Sequence, residues 1–183
     1  EWERARADTL DALGRADAAQ AFRWSCFERS LDPAHLRAFL KRLPDFDDME
    51  AEERAMAHAL GFPAVHQALA FFLEWPAPDK AARLVTSRSI EIDGDHYEIL
   101  TPAAEALEAD HPVAATILLR AMIDFTLGRG RSSRYRHAAR HLEACAMLAK
   151  RIEDTSAIGT HDVYVSGLRM AHGRKSGFWR RVS

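Results

Sequence analysis

Residues 97–152 decide the fold, and they read YEILTPAAEALEADHPVAATILLRAMIDFTLGRGRSSRYRHAARHLEACAMLAKRI. Three helix-like segments follow one another in this stretch with very short connections. Pro102 must either kink the first segment or begin it anew after Thr101. His111 and Pro112 make the first turn, and short connections favour antiparallel neighbours. The stretch therefore predicts a helical hairpin leading into a third packed helix.

The second segment is apolar around nearly its whole circumference from Val113 to Leu127. Only a narrow polar row, Thr116, Arg120 and Asp124, interrupts it at steps of four residues. A helix that is apolar on nearly all sides is buried on nearly all sides. In the third segment an apolar seam alternates steps of three and four, so it should lie along the hairpin: Tyr135, Ala138, Leu142, Cys145, Ala149 and Ile152.

Helical patterns continue on both sides of this stretch. Gly14 separates a first pair over residues 2–13 and 15–30. Asp32 and Pro33 read as a cap and a first helical position for a helix to about Leu43. The best strand candidate, Ser89–Ile92, also fits a helix end. We predict an all-α, tetratricopeptide-like antiparallel helical array (an α-solenoid) of about ten helices, forming one domain over residues 1–183.

Local signals predict where further helices begin and end. Asp47 with Glu50 resembles a capping box, in a cluster of acids that also contains Asp45. Asp79 is predicted to cap the helix that follows Trp75-Pro76-Ala77-Pro78. A last helix is expected over residues 161–172, with Tyr164, Leu168 and Ala171 turned inward.

Composition places the chain among folded proteins, because 48% of residues are hydrophobic and 28% are charged. Cys26 and Cys145 form no CxxC or Cys/His cluster, which indicates two buried thiols in a reducing compartment; a disulfide between them is the alternative. No apolar run is long enough for a membrane span and no leader opens the chain, so we expect a cytoplasmic location. Because the chain starts at Glu1 inside a helical pattern, we expect the C-terminal part of a longer protein.

Charge is unevenly distributed along the chain. Residues 1–110 contain 12 Lys/Arg against 22 Asp/Glu, whereas residues 111–183 contain 13 against 5. Helices that stack in sequence order would turn this asymmetry into an acidic part and a basic end.

Residues 10–22, LDALGRADAAQAF, resemble the centre of a tetratricopeptide repeat, with Gly14 at the turn and Ala19 at the small packing position. Four longer segments, 97–104, 112–123, 135–142 and 172–179, together resemble an uncharacterised bacterial family of helical-repeat proteins, catalogued as a domain of unknown function. That resemblance covers essentially the whole chain. It implies a tetratricopeptide-like fold and a scaffold role, and it assigns no catalytic residue. Related regions accompany SWIM zinc fingers, whose Cys and His ligands are absent here.

Two histidine patterns resemble parts of metal or catalytic sites. His137 and His141 lie one helical turn apart, as half of a metal site would, with Arg134 and Arg140 on adjoining faces. Nearby cations disfavour a metal, so we interpret them as solvated or helix-flanking and predict no metal and no cofactor. His161-Asp162 resembles part of a phosphohydrolase site, but chance and helix capping explain it better.

Arg120 carries the sharper hypothesis. It can pair with Asp124 along the helix, which would satisfy two charges in a buried setting. Alternatively, Arg120 faces a groove and holds a carboxylate of a partner in its planar fork. We favour the structural interpretation and keep both residues as candidate binding residues.

Clustered cations near the C-terminus suggest a second kind of site. A basic surface would combine Arg129, Arg131, Arg134, Arg136 and Arg140 with Arg174, Lys175, Arg180 and Arg181. Phe178 and Trp179 would then stack on bases, or alternatively fold back onto the last helices as a cap.

We predict that the chain is a non-catalytic module that binds another protein or peptide. Nucleic-acid binding through the basic C-terminal region is one alternative. An enzyme with an unrecognised site is the other, and it requires a concave pocket with at least two converging ionisable groups of shifted pKa.

Overall fold

The computed structural model describes residues 2–44 and 46–182. Within these residues it contains eleven α-helices, two short 3-10 helices and no strand, which confirms the predicted all-α class. The chain divides into two compact units, Glu1–Pro76 and Ala77–Ser183. The single domain over residues 1–183 stays a prediction, and each unit is described separately below.

The first unit contains five helices that pack in sequence order. Their bounds are α1 Trp2–Ala12, α2 Ala16–Ser30, α3 Pro33–Leu40, α4 Asp47–Leu60 and α5 Val65–Glu74. Gly14 has a φ of 71°, a left-handed conformation that favours glycine, and it makes the predicted reversal between α1 and α2. Asp32 caps α3 as predicted, since its Oδ1 accepts a hydrogen bond of 2.8 Å from the Ala34 N–H.

Helix α4 begins differently from the prediction. Its N-cap is Phe46, which has a left-handed φ of 78° and whose side chain makes no capping hydrogen bond. Asp47 is already the first helical residue. The predicted capping box of Asp47 and Glu50 is therefore wrong, because a side chain caps a helix only from the residue that precedes the helical backbone. Asp45, of the same acidic cluster, lies outside the described residues.

An aromatic cluster forms the core of the first unit. Phe27 is fully buried, and its ring lies 5.6 Å from the Trp24 ring and 5.5 Å from the Phe71 ring. Arg23 is buried beside this core, where its guanidinium donates to the Asp11 carboxylate. That hydrogen bond holds the pKa of Asp11 below its usual value. The pair ties α1 to α2.

The second unit is built around one buried helix. Its helices are α6 Pro78–Ser87, α7 Tyr97–Leu107, α8 Pro112–Gly128, α9 Tyr135–Ala149, α10 His161–His172 and α11 Ser176–Trp179, with 3-10 helices at Ser89–Glu91 and Ser132–Arg134. Helices α6, α7 and α9 all pack on α8. This confirms the prediction that α8 is buried on most sides.

Several local predictions in the second unit need correction. Pro78 occupies the first turn of α6 and Ala77 is its N-cap, so Asp79 lies inside the helix and does not cap it. Helix α7 continues through Pro102, so the alternative of a new start after Thr101 is wrong; proline there cannot donate to a carbonyl one turn earlier. Ala171 is exposed, although α10 has the predicted bounds and Leu168 is buried. Ser89–Glu91 form a 3-10 helix, which agrees with the helix-end interpretation of residues 89–92 and not with a strand.

The loop between Ile92 and His96 lies unusually close to α8. A Cβ placed on Gly94 would come within 2.0 Å of the Ala121 carbonyl oxygen and 2.8 Å of the Phe125 Cβ. Only glycine allows this approach. The contact sets one wall of the candidate site.

None of the helices in the described residues combines the length and the apolar character that crossing a bilayer requires.

Candidate functional site

A groove of about 500 Å³ opens along one face of α8 in the second unit. We call it the Arg120 groove. Helix α8 supplies Ile117, Arg120 and Asp124, the loop 92–94 supplies a second wall, and Ile158 and Tyr164 supply the third. Its volume lies in the range typical of ligand pockets, and its walls are mainly apolar with a few polar groups between them.

Arg120 forms the most constrained part of this groove. Only 9% of the residue is exposed, its Nη1 donates to the Ile158 carbonyl, and its guanidinium lies 4.3 Å from the centre of the Tyr164 ring. Among the described residues, Nε is buried without a hydrogen-bond partner, and no hydrogen bond is made by Nη2. Nε is therefore the buried, unsatisfied donor of this edge, whereas Nη2 is not among the buried atoms without a partner.

Asp124 lies one turn further along α8. The structure does not pair it with Arg120 as the sequence suggested, since its Oδ1 accepts a 2.8 Å hydrogen bond from the Tyr164 hydroxyl. Arg120 instead turns toward the Ile158 carbonyl, which comes from a segment that the helix pattern could not reveal. The Asp124 side chain reaches solvent at the mouth of the groove, yet loss of solvation raises its pKa, while Tyr164 and Arg120 offset part of the effect.

Three further titratable groups surround Arg120. Burial raises the pKa of the Tyr164 hydroxyl, and it raises the pKa of the Cys145 thiol to about 12. Burial and the charge of Arg120 lower the pKa of His161, whose Nδ1 is buried without a partner among the described residues. All three shifts favour the neutral forms of these groups.

The predicted pair His137 and His141 lines a second groove, which we call the His141 groove. It has a volume of about 360 Å³ and is bordered by Glu105, Arg140 and Leu119. Burial, with a smaller effect of His137, lowers the pKa of His141 to about 4. No third metal-ligating atom joins the two histidines within the part of the chain that the structure describes.

The predicted basic residues do not all face solvent freely. Arg134 donates to Asp95 at 3.0 Å and lies 4.1 Å from the centre of the Tyr97 ring, so it ties the 3-10 helix before α9 to the start of α7 and the loop that precedes it. Arg174 is exposed, and Lys175 is half-buried.

The C-terminal aromatics pack back onto the helices. Phe178 is fully buried, with its ring centre 6.1 Å from that of Tyr135. Trp179 donates its indole N–H to the His172 carbonyl at 2.9 Å, and Arg169 covers its ring at 4.3 Å. These contacts match the cap interpretation rather than two rings presented to solvent.

Comparison with known proteins adds a family. The model of a family described as "Family of unknown function (DUF6880)" matches residues 1–181. The chain belongs to DUF6880. No curated protein and no solved structure matched the chain. Membership of a family of unknown function was predicted and is confirmed, while repeat architecture, bacterial source and a place at the C-terminus of a longer protein stay predictions.

The sequence of this DUF6880 chain predicts Arg120 and Asp124 as candidate binding residues, but it does not predict the residues that contact them. Ile158 and Tyr164 contact them from positions about 40 residues away in sequence. A spacing pattern on α8 contains no signal for such contacts. The related sequence-based prediction was that Tyr164 turns inward from its helix.

Proposed function

We propose that this chain is a non-catalytic, tetratricopeptide-like interaction module whose Arg120 groove holds an acidic group on a segment of another protein. The observation that carries the proposal is the buried Nε of a nearly buried guanidinium, which has no hydrogen-bond partner among the described residues. A buried donor without a partner costs about 1–3 kcal/mol, and a ligand that supplies an acceptor recovers this free energy.

The geometry of the free edge favours a carboxylate. Nη1 is already engaged by the Ile158 carbonyl, and the opposite edge of a guanidinium offers two parallel N–H groups that match two carboxylate oxygens. Because Nε itself is covered, a carboxylate reaches it after a small side-chain movement at the groove floor.

Asp124 favours a peptide over a simple anion. One of its oxygens accepts the Tyr164 hydroxyl, and its side chain is exposed at the groove mouth. A second anion beside it would be repelled unless the ligand also provides hydrogen-bond donors. A peptide provides both, a carboxylate for Arg120 and backbone N–H groups for Asp124.

The two alternatives have less support. For an enzyme, the groove does contain converging groups with shifted pKa, but the raised pKa of Cys145 and Tyr164 works against a thiolate or phenolate nucleophile. For nucleic-acid binding, Phe178 is buried and Trp179 is covered by Arg169, so neither ring is free to stack on a base.

The test uses short random peptides selected for binding to the purified chain, followed by fluorescence polarisation with an enriched peptide. Ile117→Glu places a carboxylate three residues before Arg120 on the same helix face, where it competes for the guanidinium. Ile90→Glu is the matched control, because Ile90 is 97% exposed and does not line the groove.

Enriched peptides should contain Asp, Glu or a required free C-terminus, and Ile117→Glu should weaken binding at least about tenfold while Ile90→Glu does not. Failure to enrich any peptide would contradict the proposal. So would equal binding by the two variants.

A further inference from the structure

Three side chains of the first unit bring together the ligand types that bind zinc. Glu3 comes from the first turn of α1, Cys26 from the second half of α2 and His35 from the first turn of α3. Their ligand atoms all lie within 4.8 Å of one another, and Glu3 Oε2 and His35 Nε2 are 3.1 Å apart. Cys26 and His35 are buried, whereas Glu3 is partly exposed.

The dimensions of this cluster suit a bound ion. Zinc bonds of about 2.0–2.3 Å in tetrahedral geometry place neighbouring ligand atoms roughly 3.3–3.8 Å apart. The 3.1 Å separation of Glu3 Oε2 and His35 Nε2 is slightly shorter than this range, and the other two separations do not exceed 4.8 Å. Differences of this size can be met by side-chain adjustment rather than by movement of a helix. A thiolate, an imidazole and a carboxylate form a ligand set that selects zinc-class ions over magnesium or calcium.

The surroundings are consistent with a three-ligand site. Arg29 Nη2 donates to Glu3 Oε1 at 3.0 Å, which leaves Oε2 directed to His35. Such an outer hydrogen bond orients a carboxylate ligand. Asp32 Oδ2 lies 3.9 Å from His35 Nε2 but is not one of the three mutually close ligand atoms, so water would complete the coordination.

Arg29 also supplies the competing explanation. Its Nη2 lies 3.5 Å from Cys26 Sγ, so the guanidinium alone could balance this cluster. However, the Arg29 side chain is 61% exposed and extends from the solvent side. It can therefore keep its bond to Oε1 while an ion occupies the space between Oε2, Sγ and Nε2.

We propose that Glu3, Cys26 and His35 bind a zinc-class divalent cation that joins the first three helices. Binding displaces the Cys26 thiol proton to solvent and leaves the thiolate on the metal, while the neutral imidazole keeps its proton on Nδ1 and coordinates through Nε2. Because the thiol must lose its proton to bind the metal, the affinity should increase with pH.

The experiment is a titration of the chelator-treated, full chain with Co²⁺, an optical substitute for Zn²⁺, followed by competition with Zn²⁺. The wild type should bind one equivalent with a thiolate charge-transfer band and tetrahedral ligand-field bands. Cys26→Ala should lose the charge-transfer band. Cys145→Ala is the matched control and should keep it, because Cys145 lies in the second unit.

Glu3→Gln is a second test variant, which keeps the proposal testable if Cys26→Ala misfolds. Glu3 is partly exposed, and its replacement leaves the buried thiol in place. It should weaken Co²⁺ binding at least about tenfold, as loss of even an outer partner does. Zn²⁺ should raise the melting temperature of the wild type and not that of Glu3→Gln. Absence of one-equivalent binding by the wild type, or an unchanged spectrum in Cys26→Ala, would overturn the proposal.

Discussion

Gly94→Ala should strongly destabilise the second unit. The added Cβ would lie 2.0 Å from the Ala121 carbonyl oxygen and 2.5 Å from the Ala121 carbonyl carbon. Both atoms belong to the backbone of α8, the most buried helix of the unit, so they cannot move aside as a flexible side chain would. The loop must therefore retreat from the helix.

The size of the effect follows from the displacement. Ordinary contacts of a Cβ begin at 3.4 Å, so the loop has to move by about 1.4 Å to relieve a contact of 2.0 Å. Overpacking of this kind costs about 1–3 kcal/mol, and contact with backbone places this case at the upper end. The reduced freedom of alanine in the unfolded chain offsets up to about 1 kcal/mol. A net loss of about 2 kcal/mol corresponds to a melting temperature lower by roughly 10 °C.

Urea unfolding can report on this unit alone. Trp179 is the one tryptophan of residues 77–183, and its indole N–H signal in NMR spectra disappears when the contact with His172 breaks. Gly167→Ala is the matched control, because Gly167 lies within α10 and an added Cβ there meets nothing within 4 Å. It should stabilise the unit by about 0.5–1 kcal/mol. If Gly94→Ala unfolds within about 0.5 kcal/mol of the wild type, the loop does not lie on α8 as described.

Two further changes probe buried charge and pH. Arg23→Met should destabilise the first unit by about 2 kcal/mol in urea unfolding. The loss is smaller than that expected on breaking a fully buried ion pair, because Asp11 remains partly exposed. An unchanged urea midpoint would contradict the buried pairing. His141 has its pKa lowered to about 4, so its contribution to stability is present above pH 6.5 and lost as the pH falls toward 4. The melting temperature of His141→Gln should therefore fall less than that of the wild type over this range, and Glu105 and Glu108 of the same groove are present in both proteins. Equal decreases in melting temperature for the two proteins would show that His141 is not shielded from solvent.

The sequence was sufficient for the helices because periodic apolar spacing is a property of each segment alone. Helix α8 shows this best, since its continuous apolar surface predicted burial and the structure places α6, α7 and α9 around it. Starts of helices were less predictable. Asp47 and Asp79 are of a residue type that commonly caps helices. Because of the backbone conformation of Phe46 and the position of Pro78, however, each helix begins earlier in the chain than predicted.

The candidate sites depend on contacts between distant segments, and for that reason only parts of them were predictable. The polar row on α8 identified Arg120, yet its Ile158 acceptor comes from an irregular segment with no periodic signal. The cluster of Glu3, Cys26 and His35 has no motif spacing, because three separate helices each supply one residue. The sequence contains no Cys/His motif at Cys26, and the fold brings His35 and Glu3 to it from distant positions.

The most direct test of the central claim observes the Arg120 guanidinium itself. In ¹H–¹⁵N NMR spectra, the Arg120 Nε–H signal, assigned by its loss in Arg120→Lys, should shift strongly when a selected acidic peptide is added, because a carboxylate then accepts from that N–H. The Ile117→Glu variant should show no peptide-dependent shift at the same concentration. A peptide that binds tightly while the Arg120 Nε–H signal stays unchanged would contradict the assignment of the Arg120 groove as the binding site.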